Sequence, residues 1–304
     1  MKGINQAKVE AYAQQLRRDL AQLPGTLPLL QDSAAAALEL AQKANIEFDE
    51  ITALAESDPA LAARFLSTAN SALYFRGTRV SSLRSAVVRL GVQEARDVLF
   101  MAVYSNVMLK IPRYRALVDG VFWHSVLVAR TARTLAQRLG QSGDLAFMAG
   151  LMHDVGWAYC LKLASRRYPA SVAHSKDLLQ AVRDLHAAAG ASLATTWRLS
   201  KEVVDACEHH HAAIIEPVGV EEADIRLSDL TLAELDAEIA PITKVVAVAN
   251  ATTRRLERPP PLTLEELTPL LAQLGPTVVE ISDSILGALQ EEQRQANPLA
   301  RAGS

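Results

Sequence analysis

The chain has 304 residues, enough for one large or two modest domains. Half of them are hydrophobic and only 5% are aromatic, with alanine and leucine supplying much of the apolar content, the palette of packed helices. A formal charge of −3 gives no electrostatic case for wrapping nucleic acid or an anionic membrane.

Residues 4–22 mix charge and alanine at helical spacing and predict a leading helix, ended by Pro24-Gly25. Pro28 opens a second helix, Leu29 to Lys43, with Leu30, Ala34, Leu38 and Ala41 on one face. Phe48 to Ile51 begins a short third one. Ser57-Asp58-Pro59 is a helix start, since Asp58 can cap and Pro59 suits a first turn where its missing donor costs nothing. That helix carries Leu61, Phe65, Leu66, Ala69 and Leu73 inward, and Asn70 is read as satisfying nearby backbone. Ser81-Ser82 caps a further helix, Gly91 is placed to end it in a left-handed conformation, and another follows at once. Arg84, Arg89 and Arg96 around that glycine could be drawn as a DNA-binding helix-turn-helix. The domain lacks the basic footprint that phosphate contact requires, so ordinary helix packing is preferred.

Pro112 closes this half. A long helix follows, about Leu117 to Leu139, with His124 on its buried stripe between Val121 and Val128. Ser142 or Asp144 caps the next helix. Its apolar run (Leu145, Phe147, Met148, Leu151, Met152) reaches His153-Asp154, where Gly156 is expected to stop it. Two more helices lie between about 163 and 200, with His174 on a solvent face and His186 opening an alanine-rich stretch. Val203 to His211 ends in three consecutive histidines, of which at most two can face inward. Residues 212–240 read as an acidic loop. Pro241 starts a strongly apolar helix in which Asn250 is the odd polar member, and Thr263 to Glu266 is a capping box for the first of two closing helices. No alternating strand is read, so the expected fold is all-α.

Cys160 and Cys207 sit far apart in apolar or helical patterns and read as reduced core thiols. Met1 to Leu20 is too polar for a signal peptide, and no apolar run has the length of a membrane span, so a cytoplasmic protein is expected.

The polar intruders on buried faces are His124, His153, Asp154, His186, one or two of His209 to His211, and Asn250. A buried histidine beside an aspartate is costly without a partner. The bland account is a helix end with Asp154 bonded to a neighbouring segment. The sharper one is a mononuclear or dinuclear metal site in a helical bundle, built from His124, His153, Asp154, His186, His210 and Asn250.

His124, His153-Asp154 and Asn250, in that order, resemble the HD superfamily of metal-dependent phosphohydrolases. More of the chain resembles the HDOD (HD-related output domain) family: Leu27-Pro28, Ser57 to Leu61, Ala69-Asn70-Ser71, Val80 to Leu83, Leu90-Gly91-Val92, Trp123-His124-Ser125, Gly150 to Gly156 and His210-His211. The resemblance runs from about 20 to 212, with an extension toward 290. It implies an N-terminal helical subdomain (1–115), an HD-like helical subdomain (116–290), and a tail (291–304) read as disordered. It also implies a bacterial signalling or regulatory module without hydrolase activity. Trp157 stands where many HD enzymes have lysine, Asn250 stands for the late aspartate, and Ala212 to Gly219 holds no Gly-Tyr-Pro motif of the cyclic di-GMP phosphodiesterases. The expectation is therefore a protein-interaction module with a degenerate metal site and no catalytic residue. No cofactor is expected unless the site retains a divalent metal (Fe, Mn, Zn or Mg). With no fused sensor or output domain read in the chain, its partner is expected to be a signalling protein in trans, from a two-component or cyclic-nucleotide pathway. A metal-dependent phosphohydrolase of nucleotides or cyclic dinucleotides is the alternative.

Overall fold

The computed structural model describes residues 4–21, 32–43, 45–71, 74–108, 111–211, 240–256 and Gly287. The expectations for Pro24-Gly25, Pro28, most of the acidic 212–240 loop, the closing helices and the 291–304 tail lie outside these residues. Everything described is helix, turn or loop, and the fold is all-α. In order come α1 (Gln6–Ala21), α2 (Asp32–Gln42), α3 (Phe48–Ser57), α4 (Pro59–Ala69), α5 (Leu83–Met108), a 3-10 turn (Pro112–Tyr114), α6 (Arg115–Arg138), α7 (Gly143–Met152), α8 (Val155–Arg167), the short α9 (Ala170–Ala173), α10 (Lys176–Thr196), α11 (Lys201–His209) and α12 (Pro241–Leu256).

These fall into two compact units, one from Gly25–Lys110 and one from Met1–Pro24 with Ile111–Ser304. In the first, α5 packs against α2, α3 and α4. Asp58 caps α4 by accepting from the backbone N–H groups of Ala60 and Leu61, with Pro59 in the first turn. Asn70 does more than satisfy the next turn. Its amide donates to the carbonyls of Leu66 (2.9 Å) and Val80 (2.8 Å), and its oxygen accepts from Val80 N–H (2.9 Å), so it clamps a chain segment ten residues on. Gly91 breaks α5 at φ 79°, ψ 166°, a conformation open only to glycine without strain. The arginines nearby are engaged within the unit: Arg84 pairs with Asp49 (2.6 Å), and Arg89 and Arg96 donate to the Ala69 and Lys43 carbonyls.

The second unit carries the histidines. Helix α1, grouped by the sequence reading with the N-terminal subdomain, belongs to this unit, because the stripe of Val9, Ala13 and Leu16 is buried where α1 packs on α10 and α8. Asn5 N–H donates to Asp177, and Arg167 pairs with Asp19 at 2.8 Å, fixing both ends of α1. Two glycines let helix axes approach closely. A Cβ on Gly150 would lie 2.8 Å from the Ala129 backbone, joining α7 to α6. One on Gly156 would overlap the His186 carbonyl oxygen, where α8 crosses α10. Helix α12 is buried along nearly its whole length and packs on α6, α7 and α11. No described helix is long and apolar enough to cross a membrane. Cys160 and Cys207 are free and buried.

Candidate metal centre

Four helix ends or faces converge in the second unit. Helix α6 supplies His124, the turn between α7 and α8 supplies His153 and Asp154, α10 supplies His186, and the residues just past α11 supply His210 and His211. Gly156 does not stop the helix before it. Helix α7 already ends at Met152, and Gly156 lies in the first turn of α8, where its missing side chain admits the His186 backbone. Asp154 stands at the N-cap position of α8, where its side chain makes no cap bond. Its carboxylate faces the histidines instead.

Three imidazoles are fixed by backbone. His153 Nδ1 bonds the Gly150 carbonyl (2.6 Å), His186 Nδ1 that of Arg183, and His210 Nδ1 those of Ala206 (3.2 Å) and Cys207 (3.0 Å). A carbonyl only accepts, so Nδ1 carries the hydrogen and each Nε2 keeps a bare lone pair in the neutral ring. All three bare nitrogens are aimed at Asp154. His153 Nε2 lies 3.2 Å from Oδ2, while His186 and His210 Nε2 lie 3.2 and 3.4 Å from Oδ1. His211 Nε2 stands 3.1 Å from His186 Nε2, which is 3.2 Å from His210 Nε2. His153 Nε2 and Asp154 Oδ1 are buried with no hydrogen-bond partner.

Burial keeps the His210 and His211 rings neutral. It lowers His210 to about 4 against the opposing pull of Asp154, and it pushes His211 far below the ordinary imidazole range, helped by His210, His186 and Arg254. Burial pushes the Asp154 carboxyl up, but His153 and the other imidazoles outweigh it and hold the group well below the usual carboxylate range. An ionised carboxylate thus sits among imidazole nitrogens, a donor set that a divalent cation would complete. Second-sphere order of this kind, Nδ1–H on a carbonyl with Nε2 facing in, is what metal-ligating histidines require.

The spacing tests the fit. Ligands about 2.0–2.1 Å from a divalent cation stand about 3.0–3.4 Å from one another at octahedral or tetrahedral angles. Four separations fall in that range: His186 Nε2 to His210 Nε2 (3.2 Å), to His211 Nε2 (3.1 Å) and to Asp154 Oδ1 (3.2 Å), and His210 Nε2 to Asp154 Oδ1 (3.4 Å). Three imidazoles and one carboxylate suit zinc, iron or manganese. His124 behaves differently. Its Nε2 is 4.0 Å from Asp154 Oδ2 and only 2.9 Å from Asn250 Oδ1.

Every sequence-selected residue therefore reaches one neighbourhood: His124, His153, Asp154, His186, His210 and Asn250. His174 and His209 are exposed. The selected set lacks His211. Helical spacing allowed two of the three histidines inward without choosing, and because α11 ends at His209, both His210 and His211 turn in. Trp157, half-buried, sets its ring 5.2 Å from that of His186.

The HDOD domain family is matched over residues 27–213, most of the chain. The chain belongs to the HDOD domain family. Part of this HDOD chain, 93 residues, is 35% identical to a Ribonuclease Y from Thermus thermophilus, covering 31% of this chain and 13% of that one. A crystal structure from Shewanella amazonensis SB2B, provisionally assigned as a metal-dependent phosphohydrolase, superposes with a TM-score of 0.61 at 20% identity, covering 93% of this chain and 99% of that one. A provisionally assigned signal transduction protein from Marinobacter aquaeolei VT8 does so at 0.59 and 21%, covering 97% and 67%. The HDOD chain spans less than half the length of the curated relatives it matches.

Proposed function

We propose that this HDOD protein is a signalling or regulatory module in which the histidine–aspartate cage holds a divalent cation as a structural tie, without hydrolytic turnover. The carrying observation is the cluster of His186, His210 and His211, with Asp154 Oδ1 3.2 and 3.4 Å from His186 and His210, a set of four protein donors at ligand-like spacing around His186. Structural metal sites are closed by four protein ligands, whereas hydrolytic ones keep a position for water. A bound cation would complete the donor set and tie α10 and α11 to the α7–α8 turn. Family membership and the likeness to the Marinobacter protein support the regulatory role, with a signalling protein of a two-component or cyclic-nucleotide pathway as the partner.

A second reading, a metal-dependent phosphohydrolase of nucleotides or cyclic dinucleotides, is favoured by one feature. His124 and His211 are only half-buried, so the cage is reachable from one side. In that case a bound cation would acidify a water and take up charge on a phosphoryl oxygen. Against it stand Trp157 and Asn250, which remove a cation and a carboxylate from the pattern of the hydrolases.

Metal analysis of protein purified without chelator, followed by a phosphodiesterase assay in manganese, separates the two. The proposal expects bound metal and no turnover. Turnover lost in Asp154→Ala would establish the hydrolase, and a metal-free protein whose melting temperature ignores added metal would remove both.

A further inference from the structure

The chain between Asp58 and Glu94 holds five arginines, Arg64, Arg76, Arg79, Arg84 and Arg89, and no carboxylate. Three of them are engaged within the Gly25–Lys110 unit: Arg64 with Ser105 Oγ (2.9 Å), Arg84 with Asp49 (2.6 Å) and Arg89 with the Ala69 carbonyl. Arg76 and Arg79 are exposed and have no partner among the described residues. Beside them Phe75 is 46% exposed. We infer that the Phe75–Arg79 loop is the docking surface for an acidic segment of the partner protein, one that carries an aliphatic side chain among its carboxylates. It rests on the proposed regulatory role and names the chemistry of the partner.

The loop is held in place before any partner arrives. At its near end the N–H groups of Tyr74 and Phe75 donate to the Ser71 carbonyl (3.1 and 2.9 Å). At its far end Asn70 bonds both the N–H and the carbonyl of Val80. Gly77, at φ 83°, turns the chain between the two arginines. Phe75 and Arg79 are separated by at most about 14 Å of extended chain, so one short segment can meet all three side chains. A loop already ordered by its own backbone bonds loses little further freedom on binding, which leaves more of the contact energy as affinity.

Composition and charge choose the occupant. An exposed aromatic ring beside guanidinium groups is the make-up of a protein interface centre. Of the large hydrophobic side chains left exposed among the described residues, Phe48, Phe75 and Val88 lie in this unit. Guanidinium groups pair with carboxylates through two parallel hydrogen bonds, and the Phe75 ring offers an apolar surface between them and the loop's start. Nucleic acid presents a phosphate at every nucleotide and calls for a basic track, whereas Arg84 is already paired with Asp49 and the chain as a whole carries −3.

The test selects a random peptide phage library against the full-length protein. The most enriched peptide, labelled with fluorescein, is then titrated by anisotropy with the wild type, Phe75→Ala and the double variant Arg76→Ser/Arg79→Ser, each checked by its melting temperature. The expected result is an acidic consensus containing an aliphatic residue, with Kd weakened at least about tenfold in either variant. Added NaCl should weaken binding to the wild type and to Phe75→Ala but leave the double variant nearly unaffected. Hydrogen exchange of the wild-type complex, which needs no variant, should show new protection across residues 74–80. A consensus without acidic residues, equal affinity in both folded variants, or protection confined to other segments would overturn the docking surface. So would a single-stranded RNA oligonucleotide that binds more tightly than the peptide and is lost in the double variant. Turnover in the phosphodiesterase assay is what would remove the regulatory role, and these three residues lie in the unit without the cage, so the two failures are told apart.

Discussion

Gly156 lies so close to His186 that a single added carbon would collide with the His186 carbonyl oxygen and stand 2.6 Å from the Gly190 nitrogen. This contact between α8 and α10 sets where the His186 ring meets Asp154. Both clashing groups are backbone, which cannot rotate away as a side chain would. Gly156→Ala is expected to lower stability by about 3 kcal/mol, the upper range for overpacking. Urea denaturation measures it, and a change below about 1 kcal/mol would show that α10 shifts freely.

Asp154→Asn should abolish metal retention and lower the stability of the metal-free protein. His153 and the other imidazoles favour the ionised carboxylate in the folded state, and the amide forfeits that interaction. A loss of about 2 kcal/mol is expected, the range for a buried bond to a charged group. Thermal melts with and without chelator check it: the wild type should respond to chelator and the variant should not.

Much of this site was legible beforehand. Helical periodicity placed His124 inward, and the ordered His-Asp, His-His pattern identified the converging residues. What periodicity could not reach was chain geometry beyond a helix end. It was silent on α11 stopping at His209, which turns His211 into the cage, and it took Gly156 for a stop signal where the structure uses it for close approach. The same limit applies to Asn70, whose bond to Val80 spans a loop, and to α1, whose stripe is helical in sequence but whose partner is distant.

Asn70→Ala should destabilise the Gly25–Lys110 unit by about 2 kcal/mol. It removes bonds to Leu66 and Val80 and leaves the Val80 N–H without its acceptor. Hydrogen exchange of the Val80 amide reads the effect directly, and protection equal to that of the wild type would contradict the clamp.

The metal-free protein should lose stability as pH falls from about 6.5 toward 4. Burial first of all depresses His210 to about 4 in the folded state, from 6.5 when unfolded. In that window the unfolded chain binds the proton and the folded chain does not, so the contribution is complete above 6.5 and vanishes through 4. His210→Gln should reduce the slope of that part of the profile measured by chemical denaturation, leaving the share that His211 contributes.

Whether the Asp154 cage holds a cation is read most directly from the melting temperature of the purified protein before chelation, after it, and after Mn²⁺ is restored. A fall on chelation and recovery on restoration is expected, since a ligand bound only to the folded state stabilises it. A melting temperature unchanged through all three steps would contradict a cation in the cage.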